Sequence, residues 1–442
     1  MIAPMGAGLA RGLGRNSRSM AKPTTPKPRR RAGAAVIECE IVVIGGGMVG
    51  TTLASALGGA GFEVCVIDRE DPAAALEAGF DGRVSAIALG SQRMLAALDL
   101  WPGMAPHAEP ILDIRVSDGE SAMFLHFDHA DIGDRPFGHI VENRVTRRAL
   151  NRHLTASDSV RLMAPMTVVG LERERGGVEA MLGDGTKVRA ALAIAADGRH
   201  SPVRRDAGIA TTEWSYPQTG IVCTVAHERP HHGAAQERFL PAGPFAILPM
   251  TDDGAVGHRS SIVWTERAGL VPALLALGDG EFTGQLAARF GDHLGALEVV
   301  GPRFSYPLAL MHAERYIGHR LALIGDAAHA IHPIAGQGLN LGLRDVAALA
   351  EVLVDARRLG LDIGHGSVLE RYQRWRRFDN VVLAAATDGL NRLFSNDVLP
   401  VRIVRDLGLA AINRIAPAKR FFMRHAMGVL GELPRLVRGE PL

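Results

Sequence analysis

Residues 40–50 read Glu-Ile-Val-Val-Ile-Gly-Gly-Gly-Met-Val-Gly. A run of β-branched apolar residues, typical of a buried strand, leads directly into the pattern Gly45-x-Gly47-x-x-Gly50. Gly45 permits a tight turn, Gly47 lets the backbone approach a pyrophosphate, and Gly50 lets the following helix lie close to the strand. The stretch therefore predicts a strand, a turn and a helix that together bind the phosphates of a nucleotide.

The residues after this turn complete the unit. A segment of small and apolar residues is followed by a second apolar run over 64–67, which ends at Asp68, 23 residues after Gly45. An acid at this spacing accepts a hydrogen bond from a ribose hydroxyl, and the free N–H groups of the helix N-terminus favour phosphates. Residues 39–68 therefore predict a dinucleotide-binding β-α-β unit. The sequence contains no second unit of this kind, so one nucleotide has a dedicated phosphate-binding turn.

The composition narrows the class of protein. With 442 residues, the chain is long enough for two or three domains with cores of their own. Residues 1–37 carry eight basic residues and no acid, which leaves 41 basic against 47 acidic residues in the remainder, a net charge of −6. This balance excludes a nucleic-acid-binding body. The three cysteines have no metal-ligand spacing and fit a reducing compartment, and no apolar run is long enough to span a bilayer.

The N-terminal residues 1–35 are rich in Pro, Gly, Arg and Ser, which predicts a disordered basic tail. This acid-free make-up also suits a mitochondrial presequence, whereas Met20 can equally be a second start. We expect a cytoplasmic protein that contacts the inner face of the inner membrane peripherally. The alternative is the matrix side of the mitochondrial inner membrane.

Two further apolar runs each end in an aspartate beside a glycine. The first, Val188–Ala195, leads into Asp197-Gly198, and the second, 321–324, leads into Gly325-Asp326. Ligands bind at the carboxyl edge of open α/β sheets, so Asp326 is placed to accept hydrogen bonds from a ribityl hydroxyl. Residues 333–338 predict a tight loop of small residues, and a helix from 338 to 359 directs its positive end at the bound group. Such a helix end stabilises the negative charge that a reduced flavin gains near N1 and C2=O.

Taken in this order, the three motifs resemble the FAD-dependent aromatic hydroxylases, the family of p-hydroxybenzoate hydroxylase, over about residues 36–380. The resemblance implies an α/β fold in which a Rossmann-like FAD-binding domain carries an inserted β-sheet substrate domain and a helical C-terminal region. The implied boundaries are 36–108, 138–208 and 310–358 for the discontinuous FAD-binding domain, 109–137 and 209–309 for the substrate domain, and 359–442 for the C-terminal region.

The same resemblance implies which residues hold FAD. Asp68 and Arg69 correspond to adenosine-side contacts, Arg83 to a pyrophosphate contact, Asn143 to a contact near the ribityl–phosphate chain, and Asp326 to the ribityl ligand. Asp197 braces the FAD fold and the path for nicotinamide. The full predicted set is Gly45, Gly47, Gly50, Asp68, Arg69, Arg83, Asn143, Asp197, Gly325, Asp326, Pro333, Gly336, Gly338 and Asn340.

A narrower resemblance rests on four stretches: 237–249, 332–346, Tyr372-x-x-x-Arg376-x-x-Asp379 and 388–395. These resemble the ubiquinone-biosynthesis hydroxylases. The resemblance implies hydroxylation of the ring of a polyprenylated phenol by O2, through a flavin C4a-hydroperoxide. NADPH or NADH, or else a reductase or ferredoxin, would supply the electrons, and other quinone-biosynthesis proteins would be partners. No catalytic side chain is assigned, because the oxidising power belongs to the cofactor.

Several alternatives stay open from the sequence. The chain could be an FAD-containing accessory subunit, or an isoprenoid epoxidase or reductase of the same fold. The stretch 401–442, with eight basic residues and three acids, can lie on an anionic membrane or pack against the body with a solvated basic side. Phe245, Trp264 and Tyr306 can line a pocket or fill a core. The histidine pairs 126/129 and 329/332 do not form a ligand set, so no metal site is predicted.

Overall fold

The structure is a computed structural model that describes residues 35–72, 82–119, 124–254, 256–331, 336–394 and 415–442. The tail before residue 35, the loop residues 332–335 with Pro333, and residues 401–414 at the start of the basic stretch lie outside the described residues. What the sequence predicts for those segments therefore stays a prediction.

The strands of the described residues fall into four sheets. In chain order they are β1 (Val36–Glu38), β2 (Ile41–Ile44), β3 (Val64–Ile67), β4 (Val84–Ala88), β5 (Ala108–Ile111), β6 (Asp113–Asp118), β7 (Phe124–Asp128), β8 (Gly138–Glu142), β9 (Val160–Met163), β10 (Val168–Arg173), β11 (Val178–Leu182), β12 (Lys187–Ala190), β13 (Leu192–Ala195), β14 (Thr211–His227), β15 (Ala234–Leu240), β16 (Gly243–Asp253), β17 (Gly257–Arg267), β18 (Leu297–Ala313), β19 (Ile317–Gly318), β20 (Leu321–Leu323) and β21 (His329–Ala330).

The helices cover the sheets and form the C-terminal region. They are α1 (Met48–Gly59), α2 (Leu89–Ala97), α3 (Asn143–Thr155), α4 (Pro202–Asp206), α5 (Val271–Leu275), α6 (Asp279–Phe290), α7 (Gly338–Arg358), α8 (Gly366–Phe394), α9 (Ala416–Ala426) and α10 (Arg435–Arg438). Short 3-10 turns occur at Trp101–Gly103, Ala105–His107, His129–Asp131 and Gly325–Ala327.

A six-stranded sheet carries the nucleotide motifs. Its order is β19-β20-β13-β2-β3-β9, and the neighbours from β20 to β9 run parallel. Its central strands are continuous apolar runs because both of their faces are buried, in a core shared with α1, α7 and the four-stranded sheet. The parallel direction brings the carboxyl ends of β2, β3, β13 and β20 to one edge of the sheet. All three sequence motifs and Asp68 therefore meet there.

An eight-stranded sheet forms the second half of the fold, in the order β21-β18-β14-β17-β16-β15-β6-β7. All its neighbours are antiparallel except β15 and β6. One face packs on α5 and α6 through a core that includes Phe245, Trp264 and Phe282. Phe245 and Trp264 are thus core residues, which settles their alternative roles. The other face turns towards the carboxyl edge of the six-stranded sheet.

One predicted element is wrong in detail. The apolar run Val188–Ala195 forms two strands in different sheets: β12 pairs with β1 and β11, whereas β13 pairs with β2 and β20. The chain passes between the sheets at Ala191, whose N–H donates to the carbonyl of Glu40 at 3.0 Å. Buried apolar residues lie on both sides of this crossing, and neither Gly nor Pro marks it, so the sequence shows no break.

The predicted helix over 338–359 is confirmed as α7. None of the described helices is both long enough and apolar enough to cross a membrane. Residues 35–442 form one compact unit, so the division into FAD-binding domain, substrate domain and C-terminal region stays a prediction.

Candidate FAD and substrate site

A cavity of about 790 Å³ lies between the carboxyl edge of the six-stranded sheet and one face of the eight-stranded sheet. This volume is in the upper part of the range found for ligand sites. Eight of the predicted residues line it: Gly47, Asp68, Arg83, Asn143, Asp326, Gly336, Gly338 and Asn340. We call the side built by the motifs the cofactor wall and the face of the eight-stranded sheet the substrate wall.

Backbone hydrogen bonds align the three motifs of the cofactor wall. Beyond the ends of the strands, the Gly45 N–H donates to Ile67 O at 2.8 Å, and the Ala196 N–H donates to Ile44 O at 2.7 Å. The Ile324 N–H then donates to Ala195 O at 3.0 Å. The glycine turn, the Asp197 turn and the Asp326 turn therefore leave the sheet side by side.

The three glycines of the first turn serve different needs. Gly45 has a φ of 110°, and a Cβ there would lie 2.2 Å from the carbonyl oxygen of Ala196. A Cβ on Gly50 would lie 2.0 Å from the carbonyl oxygen of Gly45. Within the part of the chain that the structure describes, a Cβ on Gly47 would meet no atom within 4 Å except those of its chain neighbours, although Gly47 lines the cavity. Packing thus requires Gly45 and Gly50, whereas the space over Gly47 is open to a ligand.

Two helix N-termini face the cavity. α1 begins after Gly47 and α7 begins after Gln337, and both of these residues line the cavity. Neither helix has a side-chain cap or an acidic residue in its first turn. The partial positive charge and the free N–H groups of both ends are therefore left for an anionic group in the cavity. FAD has two groups that can carry negative charge, its pyrophosphate and its reduced flavin ring, so it offers one for each of the two helix N-termini.

Asp68 ends β3 beside the glycine turn. Its Oδ2 accepts a hydrogen bond from the Gly46 N–H, and its Oδ1 accepts one from the Glu70 N–H at 2.7 Å. The carboxylate thus shapes the turn and also borders the cavity. Arg69 is exposed and does not line the cavity, so the structure does not bring it to the other predicted residues.

Arg83 and Asn143 enter from the three-stranded sheet β4-β8-β5. The Asn143 N–H donates to Arg83 O at 3.0 Å, and the Ser85 hydroxyl donates to Asn143 Oδ1 at 2.6 Å. The guanidinium carbon of Arg83 lies 6.0 Å from the ring centre of Tyr306 on the eight-stranded sheet. Both residues line the cavity, at the place where the two walls meet.

Asp326 presents a carboxylate to the cavity. The side chain is exposed there, yet protein surrounds it on the other sides. Burial raises the pKa of Asp326 above its ordinary value, and the nearby His329 and Arg199 offset part of that rise. A carboxyl group enclosed in this way gains from a ligand that donates hydrogen bonds to it.

Asp197 and Asn340 hold the cofactor wall together. Asp197 Oδ2 accepts from the Val203 N–H at 3.2 Å, burial raises the pKa of this carboxyl, and the side chain does not line the cavity. Asn340 lines the cavity, but its amide bonds to backbone atoms of Ala86, Ala88 and Gly336. Both side chains thus form hydrogen bonds to the backbone of the protein.

The substrate wall is a field of small and apolar side chains. Across neighbouring strands, Val222 pairs with Val263, and Val263 pairs with Ala246. Polar side chains border this field, among them Glu237 and Tyr306. Apart from Tyr306, which was a candidate for a pocket, the wall residues were not predicted, because they alternate with core residues along several strands. Its small and apolar members include Gly220, Val222, Ala235, Ala246, Leu248, Val263 and Leu308.

Sequence reasoning also missed cavity residues of the cofactor wall. Met48, Arg147, Arg199 and Gln337 line the cavity and were not predicted. Arg199 directly follows the Asp197-Gly198 pair, so its position beside a predicted turn was an available signal. Within the described residues, no group of three or more His, Cys, Asp or Glu side chains is placed to hold a metal ion.

The comparisons with known proteins agree with this geometry. A family model described as “FAD binding domain” matches residues 38–378. The chain is 54% identical to the ubiquinone hydroxylase UbiL of Rhodospirillum rubrum, covering 93% of this chain and 95% of that protein. It is 37% identical to the 3-demethoxyubiquinol 3-hydroxylase of Escherichia coli, covering 88% and 98%. The solved structure of p-nitrophenol 4-monooxygenase PnpA from Pseudomonas putida superimposes with a TM-score of 0.72 at 21% identity, covering 89% and 98%.

The chain belongs to the FAD-dependent monooxygenases and, within them, to the hydroxylases of ubiquinone biosynthesis. The resemblance drawn from the sequence is thereby confirmed, and so is the α/β fold of the p-hydroxybenzoate hydroxylase type.

Proposed function

We propose that this monooxygenase hydroxylates the aromatic ring of a polyprenylated phenol. One observation carries the proposal: the turns that suit FAD and a field of small apolar side chains border the same cavity. The named relatives, a ubiquinone hydroxylase and a 3-demethoxyubiquinol 3-hydroxylase, support a substrate of that class. The small residues Gly220 and Ala246 leave room for a flat ring over the flavin, with the apolar residues around them excluding water.

We assign the FAD contacts to the residues that line the cofactor wall. The open space over Gly47 and the start of α1 suit the pyrophosphate, and Asp326 and Asn143 suit the ribityl chain. The start of α7, after Gln337, suits the pyrimidine edge of the flavin. When bound, FAD supplies electron acceptance from a donor and the activation of O2. The chain's own residues bind and orient it and stabilise its negative charge.

The main test uses the purified protein and isotope-labelled O2. We expect a yellow protein that, with a reduced donor and a polyprenylated phenol, inserts one labelled oxygen atom into the ring, as read by mass spectrometry. A protein that keeps FAD but forms no product would favour an accessory subunit. Oxygen or hydrogen added to the isoprenoid chain would favour an epoxidase or a reductase. A colourless protein that takes up no FAD would contradict the proposal.

We propose NADPH or NADH as the electron donor, docking transiently. The single phosphate-binding turn supports this, because a second stably bound nucleotide would need a turn of its own. The test is anaerobic reduction of the flavin by each nucleotide, with and without the phenol. Rapid reduction by a reductase or ferredoxin, together with no reduction by either nucleotide, would assign the electrons to a protein donor instead.

We also propose a peripheral membrane contact at the C-terminal helices, on the inner face of the inner membrane, where other quinone-biosynthesis proteins would be partners. On α9, Phe421 and Phe422 are 51% and 44% exposed, with Arg420 and Arg424 beside them. The same helix contributes Ala426 to the cavity, so it connects the site to this exposed surface. A polyprenyl tail resides in lipid, and a basic aromatic surface suits an anionic bilayer.

Vesicle sedimentation tests the membrane contact. We expect stronger binding to vesicles with anionic lipid than to neutral ones, and weaker binding after Phe421→Ser with Phe422→Ser. Phe124→Ser is the matched control, because Phe124 is 49% exposed on β7 and carries no role in this proposal. Equal binding by the α9 variant and the control would contradict the contact. The matrix side of the mitochondrial inner membrane is the alternative location, which fractionation of the source cells tests.

A further inference from the structure

Two stretches singled out in the sequence meet at one buried carboxylate. Asp345 lies in the stretch 332–346, and Arg376 and Asp379 belong to the pattern that begins at Tyr372. Asp345 Oδ1 accepts from Arg376 Nε at 3.0 Å, and another nitrogen of Arg376 donates to Asp379 at 2.9 Å. Asp345 is fully buried, and the Arg376 side chain is only 2% exposed. The pair therefore joins α7 to α8 inside the protein.

The other oxygen of Asp345 reaches the turn that carries Asp326. Asp345 Oδ2 accepts from the Gly325 N–H at 3.1 Å and lies 2.5 Å from His329 Nε2. Asn380 Nδ2 adds a further hydrogen bond to Oδ1 at 3.3 Å. One carboxylate thus fixes the residue directly before Asp326 and the residue three positions after it.

Only an ionised carboxylate satisfies these neighbours. The Gly325 N–H, Arg376 Nε and Asn380 Nδ2 are all donors, and they approach both oxygens of Asp345. An asparagine there would turn its own amide donor towards one of them. Burial alone would raise the pKa of Asp345, but His329 and Arg376 outweigh it and hold the pKa below its ordinary value.

Packing locks the same turn from the opposite side. Gly325 has a φ of 57°, and a Cβ there would lie 3.2 Å from a methyl group of Val49 on α1. A Cβ on Gly342 of α7 would lie 2.7 Å from a methyl group of the same valine. Val49 thus occupies a notch formed by the two glycines. Since α1 and α7 both point their N-termini into the cavity, this notch and the Asp345 carboxylate fix the turn against both helices.

We propose that Asp345 is a positioning residue for FAD: by holding Gly325 and His329 it sets the place of the Asp326 carboxylate in the cavity. This inference rests on the proposed role of Asp326 as a ribityl ligand. Asp345 itself does not line the cavity, so it acts on the cofactor through the turn. Arg376 and Asn380 keep the Asp345 carboxylate in the orientation that this requires.

A double-mutant cycle tests the proposal through FAD affinity. Asp345→Asn, Asp326→Ala and their combination are compared with the wild-type protein by titrating apoprotein with FAD. We expect Asp345→Asn to weaken binding on the order of tenfold, as outer hydrogen-bond partners of ligand-holding groups do at metal sites, and to change the absorbance spectrum of the bound flavin. Because Asp345 acts through Asp326, the double variant should bind no more weakly than Asp326→Ala.

The control is Asp362→Asn, which breaks the pair of Asp362 with Arg320 outside the cavity and should leave FAD affinity unchanged. If Asp345→Asn fails to fold, Asp345→Asn with Arg376→Gln removes both buried charges, and the same loss of affinity is expected. Wild-type affinity in these variants, a lowered melting temperature alone, or losses that multiply in the double variant would overturn the proposal. A wild-type protein that binds no FAD or hydroxylates no phenol would instead overturn the proposed function.

Discussion

The two walls of the cavity are built in different ways. The cofactor wall consists of turns after parallel strands, in which glycines, backbone N–H groups and acids come from short contiguous motifs. The substrate wall is a sheet face on which single side chains from several strands lie next to one another. The first wall fits a ligand through backbone geometry. The second fits its ligand through the sizes of side chains, which single substitutions change easily.

Among substitutions on the cofactor wall, Gly47→Val should be the most damaging to FAD binding. A Cβ at Gly47 would meet no atom of the described residues within 4 Å, apart from its chain neighbours, and the φ of −68° at this position suits any residue. We therefore expect an apoprotein with the wild-type melting temperature that binds no detectable FAD, because the side chain fills the space for the pyrophosphate. The flavin absorbance of the purified protein and a thermal melt measure both properties.

Gly50→Val is the matched control for this prediction. Its side chain would collide with the backbone of Gly45, so we expect a protein that is destabilised or insoluble whether or not FAD is present. Gly47→Val protein with bound FAD at the wild-type ratio would show that the turn does not hold the pyrophosphate.

On the substrate wall, Ala246→Phe should have the opposite effect. Ala246 lines the cavity between Val263 and Glu237 of the neighbouring strands. A ring there displaces the phenol but leaves the motifs intact, so we expect full FAD content and hydroxylation reduced on the order of a hundredfold. Product analysis measures the hydroxylation, and peroxide release measures donor oxidation that is no longer coupled to it.

The control for the substrate wall is Ala273→Phe on α5, which adds the same ring at an exposed position behind the sheet. It should keep wild-type hydroxylation. Loss of FAD in Ala246→Phe would mean that the two walls do not have separate functions.

The different construction of the two walls also explains which of their residues could be predicted from the sequence. The glycine turn, Asp68 and the Gly325-Asp326 turn were predictable because each is local, and because parallel strands bring their carboxyl ends to one edge. Asp345 and Arg376 belong to two separate motifs and lie 31 residues apart in the chain. Neither motif by itself predicts that the two side chains form an ion pair. The substrate wall was not predictable, since its residues share a face only through the register of several strands.

Asp326→Asn, on the cofactor wall, should weaken FAD binding and stabilise the apoprotein, and both effects should be smaller than those above. Loss of the charged acceptor should weaken FAD binding about tenfold. Because burial raises the pKa of Asp326, ionisation costs stability in the apoprotein. The neutral carboxyl group contributes to the stability of the folded apoprotein. This contribution is fully present at pH values below the ordinary pKa of the group and is lost as the pH rises through its raised pKa. The asparagine apoprotein should therefore melt higher than the wild type at pH 7.

Thermal melts of both apoproteins at several pH values measure this effect, alongside FAD titrations. We expect the advantage of the asparagine variant to shrink as the solution is acidified. A variant that melts lower than the wild type at pH 7 would show that the carboxylate is needed to hold its own turn rather than the ligand.

The smallest expected effect concerns the seam between the walls, where β21 pairs with β18 through His329 and His312. His312 Nε2 lies 2.9 Å from the Tyr316 hydroxyl, which also accepts a hydrogen bond from Asn380 in the Asp345 cluster. Burial, with the nearby His329 and Arg377, lowers the pKa of His312 from 6.5 to about 4. As the pH falls below 6.5, the unfolded chain takes up a proton at His312 that the native protein does not, so stability is lost.

His312→Gln should remove this part of the pH dependence, on the order of 1 kcal/mol at pH 5, while its amide can still bond to the tyrosine. Urea unfolding at pH 7, 6 and 5 measures the slope, and His200→Gln at an exposed position is the control. An unchanged slope in His312→Gln would mean that His312 remains accessible to protons in the native state. The seam would then be open to water, and the two walls would not close a dry cavity between them.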